Sequence, residues 1–459
     1  VLGIPDIQQL ANAARFLTGL YGAITILVVY FLAMQALNAF PAIVAATLAG
    51  LTPLMGTHAQ FIKEDIFAAP LLMLALIIVL RWGRVPSRNK ALILGIIVGL
   101  AVSAKLSSLI IVIPVVYTFI VVGRSQERSY LASLGLVALT ALLVFSIIQI
   151  PALLDHERWL ASFEREAGSA ITGHYLYLWP IQTKLIFHLK YSLLKGMGWP
   201  ALTMGLFGLI YVIGRWKNTA LPLRVLTVFA LSWYGIHELL PLKIYHGGMR
   251  YMLPLVPVLA ILSILFLQVC ISYISSEISA SGSNKLFTAL VIALLAVTLF
   301  MSYPLIIRNN IDTRSYVTKI FLDKLPGKVV IEPYSTLKDG NVGAPYGNNE
   351  KKYFSSDFAL ISSILYDDFF LGTTYIGQPD FVYEIGSNYR SLFSLTYIQV
   401  SNNKFSYSYH NPVIRIVCLS DKAAQWAKTL DLNSLDHKYD IDLKLINAGT
   451  MPSSSAHFG

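Results

Sequence analysis

The sequence has 459 residues, of which 55% are hydrophobic and only 13% carry charge, and its formal net charge is +10. A typical soluble domain has about a quarter of its residues charged, so this composition excludes an ordinary soluble protein. The positive charge does not indicate nucleic-acid binding, because many basic residues lie in short loops between apolar segments, where they orient membrane proteins. Cys270 and Cys418 lie far apart in different kinds of sequence and predict neither a disulfide framework nor a thiolate metal site.

Long apolar segments follow one another through the first two thirds of the chain. A bilayer core takes about 20 apolar residues per helix, because only helices and closed barrels satisfy their own backbone hydrogen bonds there. We predict about ten spans, at 14–35, 39–56, 65–82, 91–104, 106–123, 130–150, 199–214, 220–241, 252–273 and 286–307. The fold class predicted is a mostly α-helical, multi-pass transmembrane bundle.

Basic residues in alternate loops predict the orientation of this bundle. Lys and Arg are enriched in cytoplasmic loops, and here they concentrate at 82–90, 124–129 and 214–224. The other loops and the tail are then outside: 57–64, the long loop 151–198, 242–251 and 308–459. We therefore expect a protein of the cell inner membrane with its C-terminal part outside the cytoplasm.

The chain changes character after residue 307 and becomes richer in Asp, Asn, Ser and Tyr. Short β-branched runs at Lys328–Ile331, Phe358–Ser362 and Val413–Cys418 predict strands, and Thr313–Leu325 predicts an amphipathic helix. We therefore predict two domains, a transmembrane domain at 1–307 and a small extracytoplasmic α/β domain at 308–459.

The first outward end carries His58 and, at the start of the next apolar segment, Glu64 and Asp65. Acidic residues at a helix start can simply cap free amides and offset the helix dipole. A carboxylate at the membrane boundary can also bind a substrate hydroxyl, a cation or a catalytic partner. We take Asp65, and after it Glu64, as candidate catalytic residues, and His58 as a candidate ligand of acceptor or metal.

Lys105 interrupts a run from Gly95 to Val122 that has no other charge. A lysine facing lipid is costly, so it belongs at a boundary or in a polar cavity. It is either a snorkelling lysine in a tight outer turn or a point charge for a lipid-linked phosphate.

In the long outer loop, Glu166 and His174 are candidate ligands for an acceptor or a divalent cation, although a solvated acid and a surface histidine are the simpler interpretation.

A last group of polar residues precedes the apolar segment 252–273, and it contains Lys243, His246, Arg250 and Tyr251. An arginine can make paired hydrogen bonds to phosphate oxygens, which a lysine cannot do as rigidly. Arg and Tyr are also common anchors at a membrane interface. We predict Arg250, Lys243 and Tyr251 as phosphate-binding residues, and His246 as a further acceptor or metal candidate.

Several motifs of other enzyme classes are missing from the sequence. It has no glycine-rich nucleotide loop, Walker motif, HExxH or GxSxG. Their absence disfavours an ATP-driven pump and a cytosolic nucleotide-sugar enzyme. No motif requires a cofactor, although a divalent cation could bind the candidate ligands.

Taken in order, these motifs resemble the GT-C membrane glycosyltransferases, and most closely the branch with protein O-mannosyltransferases and lipid A aminoarabinose transferases. The matching motifs are Arg15-Phe-Leu-Thr-Gly-Leu-Tyr-Gly-Ala, Gln60-Phe-Ile-Lys-Glu-Asp65, Gly99-Leu-Ala-Val-Ser-Ala-Lys105, Glu166-Ala-Gly, Gly173-His174, Gly196-Met-Gly-Trp-Pro200 and Arg250-Tyr251-Met-Leu-Pro-Leu-Val-Pro257. The resemblance implies inverting transfer of a sugar from a polyprenyl-phosphate donor on the outer membrane face, to a lipid, protein or glycan acceptor.

The resemblance also implies roles for single residues. Lys105 and Arg250 would hold the donor phosphate, and Asp65 would help bind the acceptor or a cation. Family members carry their main catalytic acid in a first outer loop before the region where this sequence begins, so we expect that acid in a preceding segment. Three alternatives stay open: a secondary transporter, a lipid-glycan ligase or polymerase, and a non-catalytic relative that binds glycolipid.

Overall fold

The structure is a computed structural model, and it describes the chain in separate stretches. The described residues are 7–59, 63–123, 130–172, 186–239, 248–274, 280–308, 316–322, 324–331, 356–362, 392, 394–402, 414–432 and 441–447. By internal contacts the chain separates into two units. One consists of 1–167, 185–240 and 248–306, and the other of 168–184, 241–247 and 307–459.

The first unit is built from helices throughout its described part. They are α1 (Ile7–Ala33), α2 (Ala39–Leu51), α3 (Pro53–His58), α4 (Glu64–Arg84), α5 (Arg88–Ala104), α6 (Val112–Gly123), α7 (Tyr130–Ile148), α8 (Ile150–Leu154), α9 (His156–Thr172), α10 (Leu194–Met197), α11 (Trp199–Gly214), α12 (Leu221–Leu239), α13 (Leu255–Ile274) and α14 (Ala280–Arg308). Short 3₁₀ turns at Leu106–Ile111, Trp216–Asn218 and Gly248–Met252 and a π-helix at His188–Leu193 complete it. Each of the ten predicted apolar segments forms helix.

Six of the described helical segments are long and apolar enough to cross a membrane. They are Ala13–Ala33, Glu64–Arg84, Leu106–Gly123, Tyr130–Ile148, Leu255–Ile274 and Gly282–Tyr303. A seventh is possible if His188–Met197 and Trp199–Gly214, which are bent by 118° at Gly198, form one broken span. With 13 and 17 residues, α2 and α5 reach only about 20 and 25 Å, less than a bilayer core of about 30 Å. The protein is an integral membrane protein, and the count of about ten spans stays a prediction.

Small residues allow the helices of this unit to approach closely. A Cβ at Gly99 of α5 would lie 2.7 Å from the carbonyl oxygen of Ala141 in α7, and a Cβ at Gly208 of α11 would collide with the backbone of Leu262 in α13. The Ser263 hydroxyl in α13 donates to the Ala201 carbonyl in α11 at 2.8 Å. Such contacts are typical of helix packing in membranes, where dispersion and short polar contacts replace the hydrophobic drive.

Hydrogen bonds at one end of the first unit join its basic turns. The Arg84 guanidinium donates to the Gln35 carbonyl at 3.0 Å, and the Lys90 ammonium donates to the carbonyls of Arg81 and Val85 at 3.1 and 2.7 Å. These contacts bring the α1–α2 and α4–α5 turns together. The opposite ends of α4 and α5, with Asp65 and Lys105, therefore lie at the other end of the bundle.

The second unit contains a five-stranded mixed sheet. Its strands are β1 (Val329–Ile331), β2 (Phe358–Ser362), β3 (Tyr397–Asn402), β4 (Ile414–Cys418) and β5 (Ile441–Ile446), in the order β1-β2-β4-β3-β5. The β1–β2 pair is parallel and the other pairs are antiparallel. Helix α15 (Asp421–Thr429) and the π-helix Val317–Leu322 bury apolar side chains against one face. The predicted fold class, a helix-rich membrane bundle with a small C-terminal sheet, is confirmed.

The three predicted strands correspond to β1, β2 and β4, and the predicted amphipathic helix is replaced by the shorter π-helix. Its predicted apolar side is nevertheless buried, since Tyr316 and Leu325 are 2% and 9% exposed. Asp357 joins three parts of this unit, because its carboxylate accepts from the Lys328 amide and from the Ser420 hydroxyl that caps α15, each at 3.0 Å. These hydrogen bonds lower the pKa of Asp357.

Candidate functional site

Five of the predicted site residues meet at one end of the first unit. Asp65 lies in the first turn of α4, and Lys105 is the residue at which α5 ends. Arg250 and Tyr251 lie in the 3₁₀ turn before α13. Residues from three distant parts of the sequence thus form one cluster, which we call the cation pair site: Glu64, Asp65, Lys105, Arg250 and Tyr251.

Asp65 is the centre of this site. Its carboxylate is 1% exposed and forms an ion pair with the Lys105 ammonium. Its second oxygen is 3.7 Å from Nε of Arg250. Burial lowers the pKa of Lys105, and the ion pair with Asp65 acts against that shift. Asp65 therefore stabilises the charged form of a lysine that burial would otherwise favour as neutral.

Glu64 has a different environment from its neighbour. It is 44% exposed, and its Oε1 lies 3.9 Å from Nη1 of Arg250. Its carboxylate is therefore close to the cations and still reachable from solvent. The two adjacent carboxylates thus differ in environment, since Asp65 is buried against the cations and Glu64 is open to solvent.

Tyr251 lies between the two cations. Its ring centroid is 4.6 Å from Nζ of Lys105 and 5.6 Å from Cζ of Arg250. Cations near an aromatic face are attracted by its quadrupole, by about 1 kcal/mol at a partly exposed position. The ring therefore lies within cation–π distance of both positive groups.

His58 belongs to the same neighbourhood through the end of α3. Burial lowers its pKa to about 4, and the positive charges of Arg250, Lys105 and Lys63 act in the same direction, while Asp65 opposes them. The ring is neutral at pH 7 and can accept a proton only at a large cost. Among the residues that the structure describes, no group of three or more His, Cys, Asp or Glu side chains has the arrangement of a metal site.

The side chains of the other four predicted site residues lie outside the described part of the structure. Lys243, His246 and His174 lie outside the described residues, and Glu166 lies in α9 with its side chain outside them. Their predicted roles in binding phosphate, acceptor or metal stay predictions.

An apolar cavity lies between α5, α6 and α7. Its volume is about 410 Å³, within the range of about 300–1,000 Å³ usual for ligand pockets. Val102 and Leu106, the residues on either side of the Lys105 segment, line it together with residues of α6 and α7 such as Leu109, Val137 and Phe145. The cavity is thus lined by apolar residues throughout.

The sequence reasoning missed a second buried polar group at the end of α12. Glu238, His237 and His188 are 2%, 6% and 1% exposed. The segment 220–241 was predicted as a plain span, because its average is apolar. The adjacent pair His237-Glu238 at the outward end of that segment was the signal that could have revealed the group.

Comparison with known proteins finds a family match within the helical part of the chain. The family model described as dolichyl-phosphate-mannose-protein mannosyltransferase matches residues 7–150. The predicted family resemblance is confirmed there. This mannosyltransferase-like segment contains Glu64, Asp65 and Lys105, whereas Arg250 and Tyr251 lie beyond it. No curated protein is similar enough to this sequence to be matched.

Solved structures of two membrane glycosyltransferases are similar at low identity. The Archaeoglobus fulgidus oligosaccharyltransferase in its apo form has a TM-score of 0.48 and 14% identity, over 88% of this chain and 65% of that one. ArnT from Cupriavidus metallidurans, bound to undecaprenyl phosphate, has a TM-score of 0.38 and 17% identity, over 65% of this chain and 57% of that one. The present chain thus spans less than two thirds of the length of these structures.

Proposed function

We propose that this protein is an inverting glycosyltransferase whose sugar donor is linked to a polyprenyl phosphate. The observation that carries the proposal is the convergence of two partly buried cations, Lys105 and Arg250, on the buried carboxylate of Asp65. The family whose model matches residues 7–150 is described by a dolichyl-phosphate sugar, which is a donor of this class. The acceptor class, a lipid, protein or glycan, is left open by the site.

The chemistry of sugar transfer uses both charges of the site. An acceptor oxygen bonds to the anomeric carbon while the bond from that carbon to the phosphate oxygen breaks, so the phosphate leaves with additional negative charge. Fixed cations at Lys105 and Arg250 stabilise that charge more in the transition state than in the ground state. A carboxylate takes the proton of the acceptor, and Glu64, close to the cations and 44% exposed, has the access this requires.

The apolar cavity suits the lipid part of such a donor. Its lining contains only apolar residues and is shared by α5, the following 3₁₀ turn, α6 and α7. In this proposal the isoprenoid chain occupies the cavity, and its phosphate lies at the boundary where the cations are.

The proposed function also implies on which side of the membrane the cation pair site lies. A lipid-linked donor is used at the membrane surface, so the cation pair site is proposed on the extracytoplasmic side, together with a domain formed by residues 308–459. The basic turns at the other end of the bundle, around Arg84 and Lys90, support this orientation.

The test is binding of a polyprenyl-phosphate mannose to the purified protein in nanodiscs, followed by transfer assays with candidate acceptors. Hydrogen bonds to charged groups contribute about 1.5–3 kcal/mol. Arg250→Ala should therefore weaken donor binding by about ten- to a hundredfold. Arg250→Lys should recover only part of that loss, because it keeps the charge without the planar fork.

Arg158→Ala is the matched control, because Arg158 is 86% exposed and pairs only with its neighbour Asp155 at 3.5 Å among the described residues. Unchanged donor affinity in the Arg250 variants, with correctly folded protein, would overturn the proposal. Sugar uptake into proteoliposomes without donor turnover would favour a transporter instead.

A further inference from the structure

Buried polar residues at the end of α12 connect to the cation pair site without belonging to it. The carboxylate of Glu238 accepts from the backbone amides of Phe187 and His188 at 2.7 and 3.0 Å. A buried carboxylate is tolerated when it has such charge-assisted hydrogen bonds. Glu238 therefore fixes the start of the π-helix His188–Leu193 to the end of α12.

Two other residues of α12 contact Tyr251. The indole N–H of Trp233 donates to the Tyr251 carbonyl at 2.7 Å. The ring of His237 stacks on the Tyr251 ring, with 5.8 Å between centroids and 29° between planes. Trp233 and His237 are four residues apart and so lie on one face of the helix. One contact fixes the backbone of Tyr251 and the other fixes its ring.

His237 is itself held from two directions. Its Nδ1 is 2.8 Å from the Trp233 carbonyl, and its ring is 6.4 Å from the ring of His188 in an edge-to-face arrangement. His188 in turn pairs through Nδ1 with the Ser192 hydroxyl at 3.0 Å. The imidazole of His237 therefore has little freedom to rotate away from Tyr251.

We propose that Trp233, His237 and Glu238 position the Tyr251–Arg250 segment for its phosphate. On its other side Tyr251 contacts both cations, with Lys105 4.6 Å and Arg250 5.6 Å from its ring. Trp233 and His237 act through their contacts with Tyr251. Glu238 acts indirectly, because it holds α12 to His188, whose ring packs against His237. The inference depends on the proposed function, because it assigns a purpose to the geometry of the same cations.

The experiment compares His237→Ala with His237→Phe by titration of polyprenyl-phosphate mannose into the protein in nanodiscs. Loss of one well-oriented aromatic contact should weaken donor binding by about tenfold. Phenylalanine keeps the stacked ring and should restore most of the affinity, which a purely structural loss would not predict. Trp233→Phe, which removes only the donor to the Tyr251 carbonyl, should give a smaller decrease of the same kind.

Tyr117→Ala is the control for loss of an aromatic contact elsewhere, since Tyr117 in α6 packs at 6.0 Å against Trp216. It should leave donor affinity unchanged, and thermal unfolding should confirm that every variant is folded. If Arg250→Ala weakens binding and His237→Ala does not, only the positioning inference is overturned. If Arg250→Ala itself has no effect, the proposed function is overturned and this inference with it. Equal losses in His237→Ala and His237→Phe would also contradict it.

Discussion

At the scale of single residues, the site depends on how two cations share one buried carboxylate. Lys105 and Asp65 are 12% and 1% exposed, so neither is stabilised much by water. Removing one partner of a buried ion pair leaves an uncompensated charge and typically costs about 3–5 kcal/mol. Removing both partners costs much less. Single and double variants of this pair can therefore distinguish the effect of charge on donor binding from its effect on folding stability.

We predict that Asp65→Asn lowers the thermal unfolding midpoint and that the double variant Asp65→Asn with Lys105→Gln regains most of it. Both variants should lose donor binding, because the single variant removes the group that keeps Lys105 charged and the double variant removes the charge. Differential scanning fluorimetry and donor titration measure the two effects. Additive losses of stability in the double variant would contradict a coupled pair.

His58 gives a pH-dependent prediction at the same scale. Its pKa is about 4 in the folded protein and 6.5 as a free side chain, so the unfolded chain binds more protons between these values. Stability from the neutral ring is complete above about pH 6.5 and is lost as the pH falls toward 4. His58→Gln should therefore reduce the difference in unfolding midpoint between pH 7 and pH 5. His156→Gln, at an exposed position in α9, is the control and should leave that difference as in the wild type.

At the scale of secondary structure, apolar periodicity predicted nearly all of the large helices. Both ends of α4 and the last residue of α5 were predicted within two residues, because charges at Asp65, Arg84 and Lys105 mark them, whereas α5 begins three residues before its predicted start. Strands β3 and β5 were missed, since their polar residues alternate with apolar ones too briefly to stand out. The 118° bend at Gly198 was missed too, because it needs a backbone with φ of +78°, which composition does not reveal.

Helix packing at this scale depends on glycines that no periodicity singles out. A Cβ at Gly208 would overlap the backbone of Leu262, whereas a Cβ at Gly214, the last residue of the same helix, would meet nothing within 4 Å. We predict that Gly208→Ala separates α11 from α13 and lowers the unfolding midpoint, and that Gly214→Ala does not. An equal midpoint for the two variants would show that α13 can shift at no cost.

At the scale of the whole molecule, the sequence predicted which residues belong together better than it predicted their roles. Asp65, Lys105 and Arg250 were chosen because each is a charge at the outward end of an apolar segment, and the structure brings them together. Their mutual pairing could not be predicted, because it depends on the rotation of α4 and α5 about their axes. The buried polar residues of α12 were missed for another reason, since the apolar average of the segment outweighed the His237-Glu238 pair at its end.

The last prediction concerns the orientation of the whole chain in the membrane. Hydrogen bonds from Arg84 and Lys90 join basic turns at one end of the bundle, and the cation pair site lies at the other. In a background with Cys270 and Cys418 replaced by serine, we predict that a cysteine at Leu154, 82% exposed, reacts with a membrane-impermeant maleimide in intact cells. A cysteine at Val85, 64% exposed, should react only after the membrane is permeabilised. The reverse pattern would place the cation pair site in the cytoplasm, and a lipid donor would then have to be used on that face.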